Sequence, residues 1–293
     1  EYRHLAEAAV CRSQADWLVG MNATRAYTTK YFKKLTVGRV QTPTLAMLVE
    51  RAGQISNFQK EKYFNVELDC DGIPAVKPKI FDPDEAEQLR SRCQGSEAIV
   101  TAVKETEKKV KAPKLYDLTT LQREANRIYG MTAKQTLDTA QSLYEKKLIT
   151  YPRTDSQYLT EDMEQTARNV VRQIYEKYQL TGPFDQPEQP DVKKVMNNSK
   201  VTDHHAIIPT MELASCHLGE LKSWEEKILF LIAVHTVMAM SKDHIYQETE
   251  IEVECQEEIF KAKGKIVLQD GWKLFENCFK NKDRMAIVDP DQE

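Results

Sequence analysis

The sequence contains six cysteines, but no two of them are separated by only two residues. A zinc ribbon needs such close pairs, so this class of metal site is excluded. Scattered thiols in a chain of 293 residues are typical of reduced, intracellular cysteines. No secretory signal and no membrane span are expected from the residues given. Its longest apolar run, Ile228 to Met240, is too short for a bilayer and predicts a buried helix.

An excess of positive charge is missing as well, since the formal net charge is −4. Proteins that bind nucleic acid are often basic, so this total argues mildly against that class. The distribution is uneven, however. Between Lys104 and Arg153 there are eleven Lys or Arg residues against six Asp or Glu. Such a stretch is usually a solvated helical face, and it indicates an anionic partner only together with other signals.

Hydrophobic periodicity predicts an α+β protein of several domains. Residues 1 to 57 and 116 to 210 show helical spacing, with helices expected from Thr132 and Thr160 and a loop at 180–190. Period-two patterns predict strands, which we expect to pair with one another across the helical region. These strands are Tyr63–Cys70, Ile99–Glu107, Tyr246–Cys255, Glu258–Gly264 and Lys265–Leu268.

The most informative stretch runs from Leu148 to Ser156, where a helical pattern is followed by Tyr151 and Pro152. Proline cannot continue a helix and restricts the residue before it, so the tyrosine is expected just past a helix end. Arg153 follows closely, and an arginine can bind two phosphate oxygens at once. A phenol ionises near pH 10, so a phosphotyrosine ester is a reactive leaving group that a sugar hydroxyl can attack in return. These residue types therefore suit reversible cleavage of a phosphodiester.

This stretch, Leu-Ile-Thr-Tyr-Pro-Arg-Thr-Asp-Ser, resembles the active-site motif of type IA DNA topoisomerases. The segments Leu115–Ala125 and Thr136–Glu145 resemble the same family, most closely its bacterial topoisomerase III branch. The resemblance implies an ATP-independent isomerase in which Tyr151 forms a transient 5′-phosphotyrosyl bond with single-stranded DNA. Arg153 would stabilise the charge on the phosphate.

The resemblance also assigns DNA contacts outside the tyrosine motif. Val-Gly-Arg-Val-Gln matches a family segment that lines the DNA groove, which implies contacts from Arg39 and Gln41. Gly38 and Thr42-Pro43 independently predict a close backbone approach and a helix start there. His204 matches a family histidine that contacts phosphate, whereas His205 receives no role. The remaining expected DNA contacts are Thr154 and Ser156.

A type IA enzyme also needs Mg²⁺, held by an Asp-x-Asp-x-Glu cluster. Three candidate pairs, at Asp69, Asp82 and Asp289, lack the required glutamate. We therefore expect the Mg²⁺ site to lie in an N-terminal domain outside this chain, with no cofactor bound here. The chain begins without Met and is expected to be part of a longer protein. We expect this chain by itself to bind DNA but not to relax supercoils.

The family architecture implies part of a torus, with the tyrosine-bearing helical domain inserted into a β-rich arch. The expected parts are a helical segment at 1–58, the arch at 59–114 and 244–293, the tyrosine domain at 115–213 and a connecting helix at 214–243. The implied setting is the bacterial cytoplasm, on nucleoid or plasmid DNA, without membrane contact. Besides single-stranded DNA and the missing domain, a helicase is an open partner.

Two other interpretations compete with this one. A tyrosine recombinase would need a His-x-x-Arg triplet before its tyrosine, and the histidines at 204 and 205 lack that arginine. A non-catalytic module that binds DNA or a protein would use the same arch and helices as a scaffold. Covalent capture of DNA distinguishes an enzyme from such a scaffold.

Overall fold

The computed structural model describes residues 2–180 and 190–279, so most of the predicted loop at 180–190 lies outside the described residues. The helices are α1 Arg3–Tyr31, α2 Gln41–Ser56, α3 Pro83–Cys93, α4 Leu118–Tyr129, α5 Ala133–Glu145, α6 Glu164–Tyr178 and α7 Ser223–Ala239. The strands are β1 Phe64–Cys70, β2 Ile73–Ile80, β3 Ile99–Val110, β4 His244–Cys255 and β5 Glu258–Gln269. The chain divides into two compact units, Glu1–Asn65 with Lys79–Glu87 and Val66–Pro78 with Gln88–Glu293.

The first unit is mainly helical, as its sequence predicted. Helix α1 ends where Phe32 adopts a left-handed backbone with φ of 51°. The segment that follows lies along the helix because two threonine hydroxyls accept its amides. The Thr24 hydroxyl accepts the Val37 amide at 3.0 Å, and the Thr28 hydroxyl accepts the Leu35 amide at 3.3 Å. These bonds position the connection that leads to α2.

The strands form one sheet in the order β1-β2-β5-β4-β3. Strands β3, β4 and β5 pair antiparallel over most of their length, which confirms the predicted pairing across the helical region. The turn between β4 and β5 places Gln256 and Glu257 at φ of 52° and 63°, a left-handed pair that matches the twist of a hairpin.

One strand prediction was wrong. The sequence indicated a break at Gly264, but β5 continues through it from Glu258 to Gln269. Gly264 pairs with Thr249 of β4, so the ladder of backbone hydrogen bonds is unbroken at this position. A glycine weakens a strand without ending it when a neighbouring strand holds both sides.

Side chains and a glycine cap the helices of the second unit. The Asp117 carboxylate accepts the Thr120 amide at the start of α4, and Gly130 ends that helix with φ of 70°. The Thr132 hydroxyl accepts the Gln135 amide at the start of α5. The helix predicted after Thr160 begins as a 3-10 turn and continues as α6.

Helix α7 contains the predicted apolar run and lies in the core. Its residues from Leu231 to Val234 are fully buried, and they pack with residues of α4, α5 and α6. The core extends to Phe275, beyond the last strand. Within the described ranges, no helix combines the length and apolar character needed to cross a membrane.

His235 of α7 joins this core to the start of the helical region. Its ring stacks on Tyr116, with centroids 3.7 Å apart and planes 11° apart. Its Nε2–H donates to the Lys114 carbonyl at 2.7 Å. Burial lowers the pKa of His235 from 6.5 to about 4, which outweighs the opposing effect of this hydrogen bond. The native protein therefore keeps the imidazole neutral.

Acidification is expected to destabilise the protein through His235. The native pKa lies below the unfolded one, so the unfolded chain takes up the proton first as pH falls from 6.5 to about 4. The loss should approach about 3 kcal/mol at the lower end of this window. Urea unfolding of the wild type and His235→Phe at several pH values measures it. A difference in stability between the two proteins that stays constant with pH would contradict the prediction.

Candidate functional site

The end of α5 sets the position of Tyr151, but not in the way the sequence predicted. Pro152 was expected to break the helix, whereas the helix ends earlier, where Lys147 adopts a left-handed φ of 61°. The Lys147 amide donates to the Tyr144 backbone carbonyl at 2.8 Å, and the Leu148 amide donates to the Leu143 backbone carbonyl at 2.9 Å. This pair of bonds is a Schellman cap, which satisfies the last helical carbonyls and turns the chain sharply.

The stretch before the tyrosine pairs with the segment that follows the two histidines. The Thr150 amide donates to the Ile208 carbonyl at 3.0 Å, and Ile149 forms an antiparallel bridge with Pro209. The Thr150 hydroxyl adds two more bonds, since it donates to the Ala206 carbonyl and accepts the Ile208 amide, both at 3.0 Å. Two segments far apart in sequence are thereby held side by side.

This pairing brings the predicted nucleophile and the predicted phosphate ligand together. The ring of Tyr151 is half-buried, and its centroid lies 4.4 Å from that of the exposed His204, with the planes tilted by 44°. On another side, Tyr144 packs edge-on against Tyr151 at 5.3 Å. The Tyr151 hydroxyl makes no hydrogen bond within the described residues. It is therefore available to an incoming group.

The two predicted hydroxyl ligands, Thr154 and Ser156, point inward. They are 8% and 4% exposed. The Thr154 hydroxyl donates to the His204 carbonyl at 2.9 Å, and the Ser156 hydroxyl donates to the Lys200 carbonyl at 2.9 Å. Both are thus engaged with backbone, and this geometry favours a role in positioning the histidine segment over direct contact with phosphate. Their contact with DNA stays a prediction.

Arg153 and Asp155 occupy the alternate, outward positions of the same stretch. Both side chains are exposed. Neither forms an ion pair within residues 2–180 and 190–279, so Asp155 does not orient Arg153. Arg153 presents its five donors to solvent beside the tyrosine, in a position where they can reach an anion.

The second histidine is used differently from the first. His205 is half-buried, and its Nδ1–H donates to the Ala206 carbonyl at 2.8 Å. The two adjacent histidines do not belong to a metal site: among the residues that the structure describes, no group of three or more His, Cys, Asp or Glu side chains could hold a metal ion.

Arg39 and Gln41 belong to the first unit. Arg39 Nε and Nη2 donate to the Asp16 carboxylate at 2.5 and 2.9 Å, and this pair lowers the pKa of Asp16. Gln41 is the first residue of α2, one residue before the predicted start. A Cβ at Gly38 would lie 3.1 Å from Gln41 Cγ, so the side chain of Gln41 packs closely on this glycine. The predicted close approach of the backbone stays a prediction.

Sequence reasoning missed Thr150, and no pattern in the sequence marked it. In the structure, buried and exposed residues alternate from Pro152 to Ser156, and Thr150 has the same parity as the buried ones. All of these residues except Pro152 are polar, so the sequence offered no hydrophobic alternation from which to infer an inward face. The partners of its hydroxyl, about 56 residues further along the chain, follow only from tertiary structure.

Substitution of Thr150 by valine is expected to destabilise the protein by about 1–3 kcal/mol. The valine matches the threonine in shape but leaves the Ala206 carbonyl and the Ile208 amide each without its hydroxyl partner. Urea unfolding measures the change. Thr119→Val, at an exposed position of α4, is the matched control. Equal stabilities of the two variants would show that the Thr150 hydroxyl does not hold the two segments together.

Three comparisons relate the chain to known proteins. A family model described as DNA topoisomerase matches residues 1–292. The DNA topoisomerase 3 of Bacillus subtilis is 41% identical over 293 residues, which cover 97% of this chain and 40% of that protein. The DNA topoisomerase 3 of Staphylococcus saprophyticus is 36% identical over 290 residues, with 94% and 40% covered.

Among solved structures, the full-length topoisomerase I from Thermotoga maritima superimposes with a TM-score of 0.68 at 26% identity. The match covers 98% of this chain and 47% of that one. The chain therefore spans about two fifths of the length of the curated relatives and about half of the solved one.

Proposed function

This chain belongs to the type IA DNA topoisomerase family and is similar to topoisomerase III, and on that premise we propose that Tyr151 cuts and reseals one DNA strand in the complete protein. One observation carries the proposal. Within the described residues the Tyr151 hydroxyl makes no hydrogen bond, and its half-buried ring packs against His204. Arg153, which forms no ion pair in the same part of the chain, follows two residues later. A nucleophile and two phosphate ligands are thereby grouped on one surface.

The proposed reaction is a transesterification. Tyr151 Oη forms a bond to phosphorus as the bond from phosphorus to the 3′ oxygen breaks. The phenol gives up its proton, the 3′ oxygen gains one, and the 5′ phosphate stays on the tyrosine. Since the new ester keeps the energy of the broken one, the 3′ hydroxyl can reseal the strand without ATP after another strand has passed.

Arg153 and His204 are the groups proposed to stabilise the reacting phosphate. Negative charge builds up on the phosphate oxygens in the transition state, and a guanidinium beside them offsets it. The exposed imidazole of His204, whose centroid lies 4.4 Å from that of the Tyr151 ring, can donate to the same group. The Thr154 hydroxyl, through its bond to the His204 carbonyl, is proposed to keep that histidine in place.

Contacts that lie away from the cleaved phosphate are proposed to hold the DNA strand in place. We assign this role to Arg39 and Gln41, because the guanidinium of Arg39 has further donors beyond the two that bind Asp16. Ser156 supports the Lys200 backbone in the same sense that Thr154 supports His204. Contacts of this kind address the phosphate backbone, so binding should depend strongly on salt and weakly on sequence.

The described residues do not fit a Mg²⁺ site, since they contain no cluster of three or more suitable side chains. We propose that the rest of the complete protein supplies Mg²⁺ and the acid that protonates the 3′ oxygen. No step assigned to this chain passes through the metal. The chain by itself is accordingly proposed to bind single-stranded DNA without relaxing supercoils. A helicase remains an open partner.

The proposed architecture is the family torus, with the tyrosine domain at 115–213 inserted into an arch at 59–114 and 244–293. The sheet supports the insertion. The end of β3 at Val110 pairs with the start of β4 at His244, so the chain leaves the sheet and returns to it at one place. The helical segment at 1–58 and the connecting helix at 214–243 complete the proposed division.

The decisive experiment measures covalent capture of labelled oligonucleotides. The chain is tested alone and after fusion to the Mg²⁺-binding region of a relative, with Mg²⁺ present and the products denatured. We expect label from the DNA downstream of the cut to stay on the protein, and only in the fusion. No adduct from a folded fusion that binds DNA in a salt-sensitive manner would contradict cleavage and leave the scaffold interpretation.

A further inference from the structure

Tyr158 lies seven residues after Tyr151, and the ammonium groups of two lysines lie against its phenol ring. The Lys200 ammonium donates to the Tyr158 oxygen at 3.4 Å and lies 4.8 Å from the ring centroid. The Lys114 ammonium lies 5.5 Å from the same centroid. Burial raises the pKa of Tyr158, but the hydrogen bonds and charges of the two lysines outweigh burial and lower it. This phenol therefore lies in a locally positive field.

The two ammonium groups lack a counter-ion. Both lysine side chains are exposed, and neither forms an ion pair with a carboxylate in the part of the chain that the structure describes. Two like charges that share one neutral oxygen repel each other. An anion placed between them would relieve the repulsion and accept three donors, one from each ammonium and one from the phenol.

The backbone around this cluster is held from both sides. The Lys200 carbonyl accepts the Ser156 hydroxyl at 2.9 Å, and the Lys114 carbonyl accepts His235 Nε2–H at 2.7 Å. The Tyr158 carbonyl accepts the Ala206 amide at 2.9 Å. These bonds reduce the conformational freedom that an anion would otherwise have to remove on binding.

The cluster is also connected to the tyrosine site. The Ala206 bond places Tyr158 beside the segment that carries His204, and the bonds of Ser156 and Thr154 link both ends of that segment to one stretch of chain. Seven residues of extended chain span at most about 25 Å, so one short DNA strand can reach both places.

We propose that Tyr158, Lys114 and Lys200 form a second phosphate-binding subsite, which holds the DNA strand at a phosphate away from the one cut at Tyr151. The inference rests on the proposed function, because it takes a single DNA strand as the anion. The subsite binds the backbone and not a base, since the lysines already lie against the ring on which a base would stack.

The test is the salt dependence of DNA binding by the chain as it stands. Anisotropy of a labelled oligothymidylate is measured at several salt concentrations for the wild type and for Lys114→Gln with Lys200→Gln combined. Loss of one phosphate contact should reduce the slope of log K against log salt by about 0.7 and weaken binding about fivefold near 0.1 M salt. Because both side chains are exposed, the variant should fold normally.

Two controls separate the subsite from general charge effects. Lys261→Gln with Lys263→Gln combined removes the same two charges from lysines that are paired with Glu252 and Glu250 in the sheet, and its slope should match the wild type. Replacement of both subsite lysines by arginine should keep the wild-type slope. An unchanged slope in the double glutamine variant of the subsite, or an equal loss in the paired control at Lys261 and Lys263, would overturn the subsite.

The proposed function can fail separately. If the wild type binds DNA with a steep salt slope that the double glutamine variant reduces, but the completed protein forms no adduct, cleavage is contradicted and the subsite stands. If adducts form while the double variant keeps the full slope, the subsite is contradicted and cleavage stands.

Discussion

Replacement of Tyr151 by phenylalanine is expected to reduce covalent capture of DNA to background in the completed protein. The substitution removes one oxygen atom, the proposed nucleophile, and keeps the ring that packs against Tyr144 and His204. A phenylalanine ring has no atom that can attack the phosphate, so the loss of adduct should be complete and not merely a slower rate. The measurement is the amount of denaturation-resistant adduct with end-labelled single-stranded DNA.

Tyr144→Phe is the matched control for this experiment. The centroid of the Tyr144 ring lies 5.3 Å from that of Tyr151. The Tyr144 side chain is more exposed than most aromatic residues of the unit, and its hydroxyl makes no hydrogen bond within the described residues. This variant should form the adduct as the wild type does. Adduct formation by Tyr151→Phe, or its loss in Tyr144→Phe alone, would assign the chemistry to a different tyrosine. DNA binding should be similar in all three proteins.

Replacement of Arg153 by alanine is expected to slow adduct formation about 10²- to 10³-fold, the range typical for loss of one group that stabilises transition-state charge. Arg153 is exposed and unpaired among the described residues, so its loss should leave the fold unchanged. Single-turnover cleavage at saturating DNA separates the chemical step from binding.

Arg153→Lys tests the physical basis of that effect. A lysine keeps the charge but cannot bind two oxygens of one phosphate with a planar fork, so a partial recovery is expected. Asp155→Asn, next to it on the exposed face, should leave the rate near the wild-type value because Asp155 does not pair with Arg153. A full rate in Arg153→Ala would remove this arginine from the reaction. Unequal melting temperatures among the variants would point to a structural cause instead.

Local sequence patterns predicted much of the fold. The apolar run of α7, the helix start at Thr132 and the alternation in β1 each depend on residues close together in the chain, and the structure confirms them. Pairing between the early and late strands was expected because both show a period of two, and β3 and β4 confirm it. Gly264 was misread because a strand's continuity depends on its neighbour and not on its own residues.

The candidate site was likewise predictable only in part from the sequence. The residue types around Tyr151 indicated the chemistry, since a phenol, a guanidinium and a nearby proline have properties that do not depend on the rest of the fold. Their exposure could not be read in the same way. Thr154 and Ser156 looked like phosphate ligands, yet both hydroxyls are donated to carbonyls more than 40 residues away.

Long-range pairing decided the rest. His204 meets Tyr151 because Thr150 and Thr154 bind the segment around it, and Lys114 meets Lys200 because both lie against Tyr158. Hydrophobic period and capping signals describe neighbours along the chain, within a few residues of one another. Which distant carbonyl accepts a given hydroxyl, and which two lysines share a phenol, depends on how the elements pack. Only the tertiary structure contains that information.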